Sequence, residues 1–394
     1  MLKNGVYRRV FLISAVVFIL SVGPIWGATY VVSPDYEDKF IQATINRAAD
    51  GDRIIVKSGQ YRENLNVTKN IVLIGLDTGN GKPVVDAGGL GSAVVISADG
   101  VSFEGFEVTN SGRLWKDAGI KVTSKNCVIG NNNVTKNEYG IVLDGSAQNS
   151  VAKNSVCQND VGISLYSSER CTIVDNVACN NTFGGILLSK ANNNTIRRNN
   201  ASLNQWAGII LGECSNNSIT NNIARYNDNE GIWLLRSAAN TIRGNKVRYN
   251  YIFGIRLFYS NRNAVTSNTV RNNLDGVSLE NSNGNILAGN NLSINDYGIY
   301  ADNSFNNRIY MNNLINNQNN AHSWNSTNFW NSTEFISYSY NGVAYKRSVG
   351  NYWSGYFGPD PFGDGLGDLP QTVVGKEKDY NPLKKPSEKY TLHA

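Results

Sequence analysis

Glycine followed by isoleucine or valine recurs at residues 119, 140, 162, 185, 208, 231, 254, 276 and 298. The intervals are 21, 22, 23, 23, 23, 23, 22 and 22 residues, a period that only a repeat architecture produces. Counted from each glycine as zero, most units carry Ile or Val at +1, Leu at +3, Asn at +9, Ile or Val at +11, Asn at +14, an apolar residue at +16 and Asn at +19. Gly185-Ile186-Leu187-Leu188, Asn194-Thr195-Ile196, Asn199-Asn200-Ala201 and Asn204 form one complete copy. The two-residue spacing of +1 and +3 makes a strand with both side chains inward, and +11 and +16 add two further inward points. Three short inward segments in ~22 residues describe one turn of a three-sided solenoid, which buries its apolar side chains only by stacking on its neighbours. Parallel crossovers are strongly right-handed, so the period predicts an all-β, right-handed parallel β-helix. A leucine-rich repeat has a similar length but concentrates Leu and usually one Asn per unit.

Composition agrees. The chain holds 59 Asn and 38 Gly, and 51 of those Asn fall between residues 101 and 350. Asn and Gly are poor helix formers and common at turns. Asn at the corners is expected to serve twice, by tolerating left-handed backbone angles and by hydrogen-bonding to the stacked Asn of the next coil.

The ends differ from the middle. Residues 1–28 place Lys3, Arg8 and Arg9 before the apolar run Val10 to Val22, the order of a secretory signal peptide, with an uncleaved N-terminal anchor as the alternative. Residues 29–118 read as an N-terminal cap and irregular first coils, with Phe40 to Ala49 a short amphipathic capping helix. Residues 119–320 are the regular coils. Residues 321–394 read as a C-terminal cap, with a hairpin signal from Tyr338 to Tyr345 around Asn341-Gly342 and a Gly/Asp-rich loop. An exported chain, extracellular, surface-bound or periplasmic, follows from the leader. The tail is polar, and no second long apolar stretch would hold the chain in a membrane.

If +1 and +3 point inward, +2, +4 and +17 point outward. Position +17 gives Cys157, Cys179, Ser202, Arg225, Arg248, Arg271 and Ser293. Three arginines at the ~4.8 Å strand spacing repel one another unless an anion or interleaved acids offset them. Residues 197–271 hold ten Lys or Arg against Glu213, Asp228 and Glu230, a local +7 inside a chain whose formal charge is +5. The outward +2 and +4 positions of the same coils include Trp233, Arg256 and Phe258, with Trp206 two residues before a repeat glycine. Exposed aromatic rings beside guanidinium groups suit an acidic polysaccharide, the ring stacking on sugar and Arg pairing with carboxylate or sulfate. The competing reading is a solvated basic face, with its aromatics covered by a loop, the C-terminal segment or another subunit. The overall charge gives no case for nucleic acid. Glu230 and Asp275 at position −1, with Asp228 and Glu280, are the acids a sugar hydrolase would need, but along the sequence they are scattered, and no catalytic residue is assigned.

Cys157 and Cys179 share position +17 in adjacent coils and are expected as stacked neighbours: a disulfide, a two-thiolate metal site or two free thiols. Asp360, Asp364 and Asp368 space acids around Gly365 as a calcium loop does, although Phe362 stands where a third ligand belongs. The alternative is a metal-free turn. The two histidines, His322 and His393, exclude a His-rich metal site.

The stretches Ile41-Gln-Ala-Thr-Ile45, Gly51-Asp52, Ile55-Val56 and Gly59-Gln-Tyr61-Arg-Glu63-Asn64, the Asn-rich coils, and the ending Gly350-Asn351-Tyr352-Trp353-Ser354 followed by Gly363-Asp364-Gly365-Leu366-Gly367-Asp368 resemble the NosD-like family of exported β-helix proteins. That family is also grouped with carbohydrate-binding and sugar-hydrolysing repeat domains. The resemblance implies polysaccharide binding, polysaccharide cleavage as a lyase or hydrolase, or a periplasmic role in copper delivery. Copper sites favour Cys, Met or His clusters, and Met311 is the sole methionine beyond the first residue.

Overall fold

The computed structural model describes residues 27–393, so the leader expected at 1–28 lies almost wholly outside the described residues. The chain is a right-handed parallel β-helix whose three sheets hold 14, 12 and 13 strands. One coil shows the plan. A long strand, Glu230–Leu235, is followed by two short ones, Thr241–Arg243 and Lys246–Arg248, and each pairs in parallel with its counterpart in the next coil. The faces are named below as the long-strand face and the first and second short-strand faces.

The inward residues are those the period marks. Ile186, Ile209, Ile232 and Ile255 at +1, Ile196, Ile219 and Ile242 at +11, and Ala201, Ala224 and Val247 at +16 are completely buried in one continuous core. The repeat glycine sits where the chain turns into the long strand. A Cβ on Gly231 would collide with Val247 Cγ1 and lie 2.7 Å from both Asn250 Nδ2 and the Gly254 carbonyl oxygen, so any side chain there forces its neighbours to shift.

The asparagines at +9, +14 and +19 form three buried ladders. Asn222 is typical: its backbone N–H and its Nδ2 donate to Oδ1 of Asn245 in the next coil at 2.9 and 3.1 Å, and its Nδ2 also donates to the Ile196 carbonyl at 2.9 Å. Its own Oδ1 accepts the same pair of bonds from Asn199. One part of the expectation fails. The left-handed backbone belongs to the residue before each ladder Asn, as at Asn193, Arg198 and Leu203, with φ of 58°, 55° and 62°. Even Ile294 adopts φ of 56°. The ladder carboxamide fixes the corner from inside, and the outward corner residue follows.

Both ends are covered. The helix Ile41–Arg47 lies on the first coils, and the Glu63 carboxylate accepts the Ile41 and Gln42 backbone N–H groups at 2.9 Å each. At the other end the strands Ile336–Tyr340 and Val343–Arg347 form the expected hairpin, with Asn341 and Gly342 at φ of 49° and 82°. Carboxylates close two of the ladders. Glu377 accepts from the Asn328 backbone at 2.6 Å and from Trp330 Nε1 at 3.0 Å, and Asp379 accepts from the Asn351 backbone at 2.7 Å and from Trp353 Nε1 at 2.8 Å.

Candidate functional site

Arg225, Arg248 and Arg271 are directly registered partners on the second short-strand face. They are half-buried, and none of them forms an ion pair among the described residues; Arg248 Nε is buried with no hydrogen-bond partner. Beside them, at the corner leading to the long-strand face, Tyr226 stacks on Tyr249 with centroids 5.1 Å apart, and the Arg225 guanidinium lies 5.7 Å from the Tyr226 ring. Trp206 stacks on Phe183 at 5.9 Å, and Tyr251 is 79% exposed. The sequence marks Trp206 but not Tyr226 and Tyr249, which occupy left-handed corner positions outside the inward-outward alternation.

Trp233, Arg256 and Phe258 do not join that column. They lie on the long-strand face, so the single strip expected from the sequence is two surfaces separated by a corner. Arg256 is not a free cation either. Its Nε and Nη2 donate to the two Glu280 oxygens at 2.8 and 3.0 Å, and its Nη1 donates to Glu230 Oε1 at 3.3 Å. Trp233 Nε1 is buried without a partner, 6.0 Å separates the Arg256 guanidinium from its ring, and Phe258 is half-buried against Tyr259.

The acids that look scattered in the sequence converge here. Arg256 reaches one coil back to Glu230 and one coil forward to Glu280, while Asp275 begins the strand that carries Glu280. Glu230 is 1% exposed and Asp275 is 6% exposed. Burial, with a further push from Glu280, raises the Asp275 carboxyl to about 7. Burial also raises Glu230, against the pull of Arg256. Ser278 donates to Glu280 at 3.2 Å, and the next two coils add Tyr300 and His322, stacked at 5.0 Å, with Tyr297 beside both. Asp228 is absent from this network. Repeat numbering puts Arg256 at +2 and Glu280 at +4 on one outward face, but strict alternation counts −1 with the inward +1 and +3, so the numbering alone does not bring Glu230 and Asp275 to them.

Cys157 and Cys179 form a disulfide between adjacent coils, with Cα atoms 4.7 Å apart. Cys127, Cys171 and Cys214 are buried separately and engage backbone carbonyls. No group of three or more His, Cys, Asp or Glu suited to a metal occurs among the described residues. The one pair of adjacent cysteines that could have offered two soft donors among the described residues, Cys157 and Cys179, is closed as the disulfide. In the Gly/Asp-rich loop, Asp360 accepts the Asp364 and Gly365 backbone N–H groups at 3.1 and 3.0 Å, and Asp364 pairs with Arg347. Asp360, Asp364 and Asp368 thus do not converge as one donor set. No helix among the described residues is long and apolar enough to cross a membrane.

No curated protein matches the sequence. Among solved structures, the A-module of mannuronan C-5 epimerase AlgE4 from Azotobacter vinelandii is similar with a TM-score of 0.56 and 17% identity, over 73% of this chain and 92% of that one. XylC, in complex with xylose, is similar with a TM-score of 0.57 and 11% identity, over 67% of this chain and 75% of that one. The Dettilon tailspike protein gives 0.52 and 14%, over 72% of this chain, and the match spans 62% of the tailspike's length. At these identities the likeness is one of fold. The family model described as periplasmic copper-binding protein (NosD) matches residues 46–228 and 203–358, together most of the repeat, and the chain belongs to that family.

Proposed function

We propose that the chain is an exported protein that binds an acidic polysaccharide along its outer surface. The observation that carries this reading is the column of Arg225, Arg248 and Arg271: registered neighbours, each one strand spacing from the next, with no acid among them. Three guanidinium groups ~4.8 Å apart cost on the order of 1 kcal/mol per neighbouring pair even in water, and more beside a protein surface. A linear polymer bearing one anionic group per sugar removes that cost along the column, and Arg pairs bidentately with carboxylate or sulfate. The Tyr226–Tyr249 stack and Trp206 at the adjoining corner supply ring faces for sugar.

Several facts support the wider setting. The leader-like segment and the periplasmic family description favour export, and a disulfide persists in oxidising compartments. Two proteins of similar fold are a mannuronan epimerase and a protein complexed with xylose. The test is calorimetric binding of alginate and polygalacturonate against neutral xylan. Binding of the acidic polymers that weakens with salt and falls at least tenfold in an Arg225/Arg248/Arg271→Ala triple variant is expected. Equal affinity for xylan, or no loss in the variant, overturns the reading.

A further inference from the structure

Where the C-terminal segment folds back on the last coils it leaves a cleft of about 530 Å³, within the size range of small-ligand sites. Its floor is a column of the first short-strand face. Arg243, Thr266, Ala288 and Tyr310 are registered partners in successive coils, so two small side chains open a gap between a guanidinium and an aromatic ring. Met311 and Tyr390, 5% and 4% exposed, belong to a second apolar cluster that joins the cap to the coils, and they line the gap with Ile336 and Leu392.

The polar groups of the cleft are incompletely paired. Asn291 and Asn313 are registered neighbours on the second short-strand face. The tail satisfies Asn313: its Oδ1 accepts the Ser387 backbone N–H at 2.7 Å, and its Nδ2 donates to Glu388 Oε2 at 2.9 Å. Asn291, one coil earlier, meets no such partner, and its Oδ1 is shielded from water without a hydrogen bond. A shielded acceptor with no donor is uncommon in a native protein, and this one borders the cleft. Glu388 and Arg243 are the two charged residues that line it, and neither forms an ion pair among the described residues. The cleft is therefore anionic and rich in acceptors at the tail end, apolar in the middle and cationic at the Arg243 end.

That pattern fits a ligand with an ammonium at one end, a carboxylate at the other and an apolar body between. Arg243 and the coil of Asn291 stand two strand steps apart, about 10 Å. An extended chain covers roughly 3.3–3.6 Å per residue, so about three residues span that distance. We propose that the cleft binds a short peptide with both ends unblocked. Its ammonium donates to Asn291 Oδ1 and the Glu388 carboxylate, its carboxylate pairs with the Arg243 guanidinium, and its central side chain lies against Met311, Ile336 and Tyr390. An acidic polysaccharide would bring carboxylates to both ends, and Glu388 repels them.

The cleft adjoins the Arg271 end of the basic column, because Asn291 shares a strand with Ser293, the registered partner of Arg271, yet it uses none of the column's residues. The test is calorimetric titration of the full chain with Ala-Leu-Ala and Ala-Phe-Ala, each also in N-acetylated and in C-amidated form. The free tripeptides are expected to bind at least about tenfold more tightly than either blocked form. In Glu388→Gln and in Asn291→Ala the preference for the free amine should shrink while the preference for the free carboxylate stays, and Arg243→Ala should show the converse. The blocked and free peptides are compared first on the parent chain, so the outcome does not hang on the folding of any variant. Equal affinity for blocked and free peptides overturns the proposal, since the cleft would then read only apolar surface. So does failure of both free tripeptides to bind, or a preference that survives unchanged in all three variants. Tighter binding of hexamethylenediamine than of either tripeptide overturns it as well, because Arg243 would then have no part. Displacement of the bound peptide by digalacturonate gives the cleft to the polysaccharide surface and overturns the peptide assignment.

Discussion

A buried asparagine is costly unless both its amide hydrogens and its oxygen find partners. The ladder solves this by repetition, since each side chain's acceptor is used by the coil before it and its donors by the coil after. Asn222→Ala therefore strands the Asn199 backbone N–H at a completely buried site. Destabilisation of roughly 2–4 kcal/mol is expected, read as a lower denaturant midpoint at unchanged slope. Gly231→Ala tests the neighbouring constraint. The added methyl meets Val247 and the Gly254 backbone, and a loss of about 1–3 kcal/mol is expected from overpacking, where an open surface glycine would lose nothing. The sequence reveals which positions carry Asn and Gly. It conceals which residue bends the chain, because Arg198 and Leu203 take left-handed angles that their own chemistry does not request.

Elements at the solenoid's ends must supply what a further coil would have supplied. Asp379 does so for the +14 ladder, accepting bonds from Asn351 and Trp353 inside a completely buried site. Burial dominates its titration and raises it from an ordinary 3.8 to about 7. The sign follows from linkage. A carboxyl raised in the folded state favours folding most below the unfolded value, and that contribution is lost as pH climbs through the folded one. Stability should therefore decline between about pH 4 and 7, by up to about 4 kcal/mol for a shift of this size. Asp275 acts in the same direction. Melting temperatures across this range should slope less in Asp379→Asn and in Asp275→Asn than in the parent chain. The two variants should then part: Asp379→Asn melts lower at pH 5 because its amide mismatches the ladder donors, whereas Asp275→Asn melts higher at pH 8 because it removes an uncompensated charge. The Glu377 and Asp379 caps are not legible in the sequence, since nothing in a lone Asp marks it as the end of a ladder 28 residues away. The hairpin is legible, because Asn341-Gly342 states its own turn geometry.

At the scale of the molecule, the repeat turns sequence position into place: a fixed offset becomes a column, and a column becomes a face. That rule makes the Arg225, Arg248 and Arg271 column readable from the amino-acid order alone. It fails for Arg256, whose reach to Glu230 and Glu280 runs diagonally across three coils and so crosses the columns. The same one-dimensional order makes the ends the weak points, because each coil is stabilised mainly by its neighbours. Beyond Asn320 the chain closes the open sheets with Trp330, Trp353 and the carboxylate caps, burying both indoles 5.7 Å apart. A chain truncated after Asn320 would leave the acceptor side of the Asn307 and Asn312 ladders unfilled and three strand edges bare. Parallel edges of identical pitch can pair only with a matching end, so the truncated chain should associate, first end to end and then into larger species. Light scattering that rises with concentration, together with retained β-sheet circular dichroism, is the expected result. A monodisperse, fully folded truncated monomer would show that the coils satisfy their own ends and that the C-terminal segment has some purpose other than capping.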